Sequence, residues 1–289
     1  MPELALDHIG VAIKDLGRGR AAYARLGFRL TAYSQHSGSP TPGAPVVPWG
    51  SGNHCAMLRE GYVEVVGLTH PEHYSSITAM VERYEGPHIV ALGCTNAELA
   101  YEALVAAGVE ADRPRALERD APFGKNDESL ARARFRNIHL DRSAYPEGRF
   151  LVIEHLTRDV LWQPHLLEHP NGAQALAEVY FCTDDPVATG SKLGRAFGAS
   201  PHAQGAGAVV LALARGRLLA LSVADWAERS GAQPIAPLPM PVGFGIRVAS
   251  IARTRALLAD NGVLFKEAGG LWVGPDAACS AAIRFFEEN

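Results

Sequence analysis

Gly61-Tyr62-Val63-Glu64-Val65-Val66-Gly67 reads as a buried β-strand with a single carboxylate at its centre. Valine and tyrosine favour a pleated surface, and the flanking glycines mark the ends of the run. Side chains alternate along a strand, so Tyr62, Glu64 and Val66 share one face while Val63 and Val65 share the other. Neither face is otherwise polar. An ionised carboxylate there costs roughly several kcal/mol unless it is paired, protonated or bound to a metal. A similar strand follows at Phe150-Leu151-Val152-Ile153-Glu154-His155-Leu156. Two lone glutamates in two apolar strands pose a functional question.

Working outward from these strands, the chain repeats. Residues 4–13 alternate as a strand, Asp15 is placed to cap a helix over 18–26, and Gly27 ends it. Residues 28–33 are extended, the Pro, Gly and Ser cluster over 37–52 reads as a long surface loop, and a short strand over 54–58 precedes Gly61. The order recurs from His88: a strand over 88–93, a helix over 96–107 ended by Gly108, strands near 109–111 and 132–140, and the strand holding Glu154. Placing His8 on His88 puts the helix-ending glycine 19 residues later in the first copy and 20 in the second. The charged, turn-rich stretch over 118–129 is expected as an exposed loop.

Residues 162–174, with Pro164, Pro170, Asn171 and Gly172, read as a linker. A third copy starts at Ala177 with its helix ended by Gly198, and a fourth begins at Phe244 with its helix ended by Gly262. The fold class is α+β, four βαβββ units paired into two domains over 1–168 and 169–289.

A chain of 289 residues with 47% apolar content has enough material for such cores. The formal net charge of −4 and the lack of a basic run with interleaved aromatics argue against a nucleic-acid partner. Residues 1–13 lack the features of a signal peptide, and no apolar stretch approaches the ~20 residues needed to cross a bilayer, so a cytoplasmic protein without a membrane partner is expected. Cys55, Cys94, Cys182 and Cys279 are far apart without CxxC spacing and read as free thiols. Ten of the eleven histidines lie at or before His169, so histidine chemistry belongs to the first half.

The paired βαβββ unit, with Asp7 to Leu16 (DHIGVAIKDL) opening the first strand and GYVEVVG closing the fourth, resembles the vicinal oxygen chelate superfamily, and within it the glyoxalase-like domain proteins of the glyoxalase, bleomycin resistance and dioxygenase type. The resemblance implies a divalent metal held by residues of the first and fourth strands of each unit. Matched position by position, these are His8, Glu64, His88 and Glu154. Histidine and carboxylate donors suit Zn, Ni, Mn, Co or Fe(II), and a metal would neutralise the two lone glutamates. The competing reading makes the histidines ordinary core residues and pairs the glutamates with arginines such as Arg134 or Arg136. His155 points opposite to Glu154, which is kept as the ligand. Units three and four offer Glu178, Tyr180, Ser222 and Phe285 in comparable places, and no His and Glu set assembles there, so the second domain is expected to be degenerate and structural.

The resemblance implies a metal-dependent lyase or isomerase acting on a small oxygen-rich substrate, with Glu64 or Glu154 as the catalytic carboxylate. His54, Asn137 and His139 are candidate substrate contacts. The alternatives are an Fe(II) ring-cleaving dioxygenase using His8, His88 and Glu154, and a non-catalytic binding protein of the antibiotic-sequestering kind. Paired units can meet within one chain or across two, which leaves a homodimer open.

Overall fold

The computed structural model describes residues 3–39 and 45–288. The first half runs β1 (Ala5–Ile13), α1 (Leu16–Arg25), β2 (Ser34–Gly38), β3 (Val47–Met57), β4 (Tyr62–Leu68), α2 (Thr78–Arg83), β5 (Gly86–Gly93), α3 (Ala97–Ala106), β6 (Arg115–Phe123), β7 (Ser129–His139), β8 (Arg149–His155) and α4 (Arg158–Leu161). The second half runs β9 (Ala173–Cys182), α5 (Pro186–Phe197), β10 (Pro201–Ala203), β11 (Ala208–Ala212), β12 (Arg217–Leu221), α6 (Val223–Ser230), β13 (Met240–Val248), α7 (Ile251–Asp260), β14 (Phe265–Glu267), β15 (Leu271–Val273) and β16 (Ala282–Phe286). No helix among the described residues is long and apolar enough to cross a membrane.

The punctuation of the repeat is chemical. Each unit's first helix is capped by a short polar side chain: Asp15, Asn96, Asp185 and Ser250 accept from the backbone N–H three residues on. Each is followed by a glycine at positive φ, Gly27 at 83°, Gly108 at 72°, Gly198 at 66° and Gly262 at 63°, the left-handed backbone that ends a helix.

The strands form two eight-stranded sheets, ordered β2-β3-β4-β1-β5-β8-β7-β6 and β10-β11-β12-β9-β13-β16-β15-β14. In each, two units meet inside one chain through their first strands, β1 with β5 and β9 with β13, both antiparallel. The outer faces of the two sheets and helices α1, α3, α5 and α7 bury one common core, in which Ile9, Val65 and Val90 join Val179, Phe181, Phe244 and Phe285. The inner face of each sheet points the other way.

The first sheet is strongly curled. β2 and β6 are its two edges, and flat strands spaced about 4.8 Å apart would hold them some 30 Å from one another. Yet Leu161 packs on Ala121 and Ala133 of β6 and β7 and, with Trp162, on Cys55 and Tyr62 of β3 and β4. One side chain spans both ends only if the edges have closed toward each other around an incomplete barrel.

Two stretches expected as loops are sheet. Over 37–52, β2 and β3 pair from Ser34 opposite Asn53 to Gly38 opposite Val47, and residues 40–44 lie outside the described residues. The Trp49 indole lies where a Gly38 side chain would be and donates to the Gly38 carbonyl at 3.1 Å, so tertiary contact holds a Gly- and Ser-rich ribbon extended. Over 118–129, β6 and β7 form a hairpin. Its charges pair across the strands, Arg134 with Glu118 at 3.3 Å and Arg132 with Asp120 at 3.2 Å.

Candidate active site

The inner face of the first sheet collects polar side chains that its apolar strands would not otherwise hold. On β4, Tyr62 and Glu64 face inward while Val63 and Val65 enter the outer core. Asn53 of β3 donates to Glu64 Oε1 at 2.6 Å, and the same amide lies 3.3 Å from His36 Nε2. His36 Nδ1 is 3.1 Å from Ser51 Oγ. Burial holds the His36 imidazole below its ordinary pKa, Glu64 opposes that effect, and Arg119 and Arg149 add to it. Arg149 is the first residue of β8 and lies three strands along the curled sheet from Glu64. Burial lowers its guanidinium pKa to about 10, with Arg142 adding to the shift and Glu64 opposing it.

A second cluster lies at the other end of the same face. Asp7 is buried, and its Oδ1 sits 2.8 Å from His8 Nδ1 and 3.3 Å from His155 Nε2. Burial alone would raise the Asp7 pKa, but the hydrogen bonds to His155 and His8 hold it well below the carboxylate range. The His8 ring stacks on Tyr62 with centroids 4.4 Å apart. Trp162 meets both Tyr62 and His155 edge-on, and Arg158 lies 3.6 Å above the indole. Asp7 and His8 both turn inward because β1 carries a register shift between Leu6 and His8, a bulge that re-aims a side chain.

His8 and Glu64 therefore share the inner face, whereas His88 at the β5 bulge is turned to Tyr84 and Glu154 faces outward. His88 stacks on Tyr84 at 3.8 Å and donates from Nε2 to the Tyr84 carbonyl at 2.9 Å. Tyr84 in turn packs into the core of the second sheet. Glu154 accepts from the backbone N–H of Ala97 at 3.0 Å, serving the start of α3, with Arg136 at 3.6 Å. Its neighbours in phase, Phe150 and Val152, lie in the outer core, whereas Leu151 and Ile153 face inward with Val66 and Ala12. His155, not Glu154, faces in.

The reason is register. The pairs His8 with Ala91, Ile9 with Val90 and Gly10 with Ile89 relate the two units so that His8 matches Ile89 and Asp7 matches His88. Likewise Tyr62 and Glu64, beside His8 and Gly10, match Arg149 and Leu151, beside Ile89 and Ala91. The one-residue difference in glycine spacing, 19 against 20, was the sequence signal of this slip. Glu64 lies three residues past Gly61 and Glu154 six past Gly148, an odd and an even count that put them on opposite faces.

The remaining candidates divide. His54 faces outward with Ala56 and Leu58, its Nδ1 2.8 Å from the Thr31 carbonyl. Asn137 and His139 alternate with Ile138 of the outer core and so face inward. Asn137 Oδ1 is buried without a partner, as are Asn53 Oδ1 and His155 Nδ1. His139 and Arg149 line a cavity of about 610 Å³ at the barrel's end, with Arg115, Arg142, Asp112 and Asp141.

The family whose description reads glyoxalase-like domain matches residues 6–197, more than half of the chain. The chain belongs to the glyoxalase-like domain family. No curated protein sequence matches it. Among solved structures, this glyoxalase-like chain is similar to a hypothetical protein from Staphylococcus aureus at 14% identity and TM-score 0.64, covering 99% of this chain and 100% of that one. A mutant of 4-hydroxymandelate synthase from Streptomyces coelicolor aligns at 15% identity and TM-score 0.60, covering 100% and 94%. The Mn(II)-bound glyoxalase from Novosphingobium aromaticivorans aligns at 11% identity and TM-score 0.57, covering 99% and 82%. The shared fold is that of the vicinal oxygen chelate superfamily, two paired-unit domains in one chain.

The four-residue metal centre that the resemblance implied does not fit this glyoxalase-like chain. Glu154 lies on the outer face, His88 is taken up by Tyr84, and the positions that match His8 and Glu64 in the second unit are the hydrocarbons Ile89 and Leu151. Among the described residues no three His, Cys, Asp or Glu side chains are arranged to hold a metal ion.

Proposed function

We propose that the inner face of the first sheet is the active site of a lyase or isomerase that moves a proton on a small oxygen-rich substrate, with Glu64 as the proton-carrying group. The observation that carries this reading is the setting of Glu64. It is the one carboxylate of an apolar strand, it is oriented through Oε1 by Asn53 at 2.6 Å, and it is only half-buried, so Oε2 is left open to a ligand. An oriented carboxylate of this kind can take a proton from carbon beside a carbonyl. The charge that then develops on the carbonyl oxygen falls in the field of Arg149. His8, whose Nδ1 is engaged by Asp7, has its Nε2 without a protein partner among the described residues and is placed to return a proton.

Glu154 has no catalytic part in this reading, and neither it nor His88 is a metal ligand. The ring-cleaving dioxygenase alternative needed His8, His88 and Glu154 on one ion, and it loses its support with them. The second domain is read as a scaffold.

The test is exchange of substrate hydrogens. Candidate 2-oxo and 2-hydroxy acids are incubated with the protein in deuterated water and their C–H signals followed by proton NMR. The wild-type chain is expected to catalyse exchange, and Glu64→Gln to bind but not exchange. Binding without exchange by the wild-type chain would make it a non-catalytic binding protein.

A further inference from the structure

We infer that Asp7 is a positioning residue that fixes His8 as the tautomer with its proton on Nδ1, which makes Nε2 the acceptor for a substrate hydroxyl and the substrate a 2-hydroxy carbonyl compound. This rests on the reading of Glu64 above and deepens it, naming the substrate class and the second proton carrier.

The tautomer follows from one oxygen. Asp7 Oδ1 lies 2.8 Å from His8 Nδ1 and 3.3 Å from His155 Nε2. A carboxylate oxygen accepts from two donors at once, whereas a carboxylic hydroxyl has a single proton to give. Burial favours the protonated acid, and the two imidazoles outweigh it. No other group bonds to this carboxylate among the described residues: Arg158 lies over Trp162, and Arg215 donates to the Leu6 carbonyl at 3.0 Å. Both imidazoles therefore spend an N–H on Asp7, and the proton of His8 sits on Nδ1.

The two rings differ in what they have left. His155 Nδ1 is enclosed and without a partner. A proton there would be a buried donor with no acceptor, so His155 stays neutral and serves to hold Asp7. Trp162 packs edge-on against it at 4.9 Å. His8 Nε2 has no protein partner among the described residues and is not enclosed, so it is open to a ligand. Its ring is held by the stack on Tyr62. With the Asp7 charge behind the ring, Nε2 accepts an O–H, and the imidazolium formed by taking that proton is stabilised.

His8 and Glu64 reach the same molecule. His8 pairs with Tyr62 and Gly10 with Glu64, so the two side chains are diagonal neighbours on one face, roughly 7 Å apart at Cβ. A hydroxyl on Nε2 with the C–H of the same carbon on Glu64 Oε2 describes a CHOH group beside a carbonyl. Glu64 takes the proton from that carbon, and the C–H electron pair forms the double bond while charge moves to the carbonyl oxygen. His8 takes the hydroxyl proton and gives it to that oxygen, and Glu64 returns its own to the former carbonyl carbon. Hydroxyl and carbonyl have exchanged places. One carbon is oxidised and its neighbour reduced, with no other reactant.

The experiment reads the histidine nitrogens of the full-length, ¹⁵N-labelled chain by long-range proton–nitrogen NMR, with the His8 signals assigned by their loss in His8→Gln. The wild-type chain is expected to carry the His8 proton on Nδ1, and hydroxyacetone to shift the Nε2 signal where acetone, which lacks the hydroxyl, does not. Asp7→Ala should move the His8 proton to Nε2 and slow deuterium exchange into hydroxyacetone about a hundredfold or more. Asp7→Asn, which keeps an acceptor oxygen, should retain the tautomer and part of the rate. A wild-type His8 protonated on Nε2, an Nε2 signal that ignores hydroxyacetone or answers equally to acetone, or a folded Asp7→Ala chain with tautomer and rate unchanged would overturn the inference. The expected tautomer and shift without any exchange by the wild-type chain leave the inference standing for a bound 2-hydroxy carbonyl and remove the catalytic reading.

Discussion

The two sheets are built from the same unit, and their inner faces have opposite contents. In the second sheet Tyr180, Trp226 and Trp272 fill the space, with ring centroids 5.3 to 5.8 Å apart. Its one buried carboxylate, Glu178, is satisfied by the Tyr180 hydroxyl, by Arg217 Nε at 2.7 Å and by Arg284 Nη1 at 3.1 Å. The void left beside Trp226 is about 10 Å³, room for a single water. In the first sheet the cavity at the barrel's end is about 610 Å³, the half-buried Arg119 and Arg149 have no hydrogen bond or ion pair among the described residues, and three buried polar atoms of the inner face are orphaned against one, Trp226 Nε1, in the second. A closed charge network costs less to keep than an open one, so the open one points to a ligand.

The comparison can be broken in order of expected effect. Trp226→Ala should remove about 4 kcal/mol of stability, the cost of deleting a fully buried aromatic, measured by urea unfolding, and should leave ligand binding in the first barrel unchanged. Glu178→Ala should cost about 3 kcal/mol because it strands Arg217 and Arg284. If it is neutral, the second network is not the counterweight described above.

Acid sensitivity should belong to the first half. Burial lowers His88 from 6.5 to about 4, with the Tyr84 carbonyl opposing and Arg83 and Arg142 reinforcing, and burial likewise lowers His139 to about 4. Between those pH values the unfolded chain binds the proton and the folded chain does not. Stability is therefore full above about pH 6.5 and falls as pH drops toward 4, by about 3 kcal/mol for His88. His88→Leu should flatten part of that slope in a series of melts, and an unchanged slope would place the His88 ring elsewhere.

Glu64→Gln should change stability by less than about 1 kcal/mol, since its carboxylate serves a ligand more than the fold. The smallest expected effect is that of metal. Adding Ni(II), Zn(II) or Mn(II) should leave the melting temperature unchanged, and a stabilisation abolished by His88→Ala would restore the four-residue centre.

Much of the fold was legible because its signals are local. A capping side chain, an apolar helix and a glycine at positive φ depend on neighbours three or four residues away, and they recur four times. Half of the candidate site was legible for the same reason. Glu64 stands out by alternation within its own strand, and His8 by its place on the repeat. Arg149 was hidden because nothing about an arginine after Gly148 marks it as unpaired. Asp7 and His155 were hidden because their partners lie 148 residues apart in the chain.

The sequence by itself determined the four units, their helix ends, the curious carboxylate of β4 and the absence of a histidine and glutamate set in the second half. Tertiary structure alone decided which side chains meet. A strand's faces alternate with a period of two, so one bulge at Asp7 and one at His88 set which residues of β1 and β5 look inward. Those bulges are properties of two strands paired across 80 residues of chain, and they separate the two histidines and the two glutamates that the repeat places together.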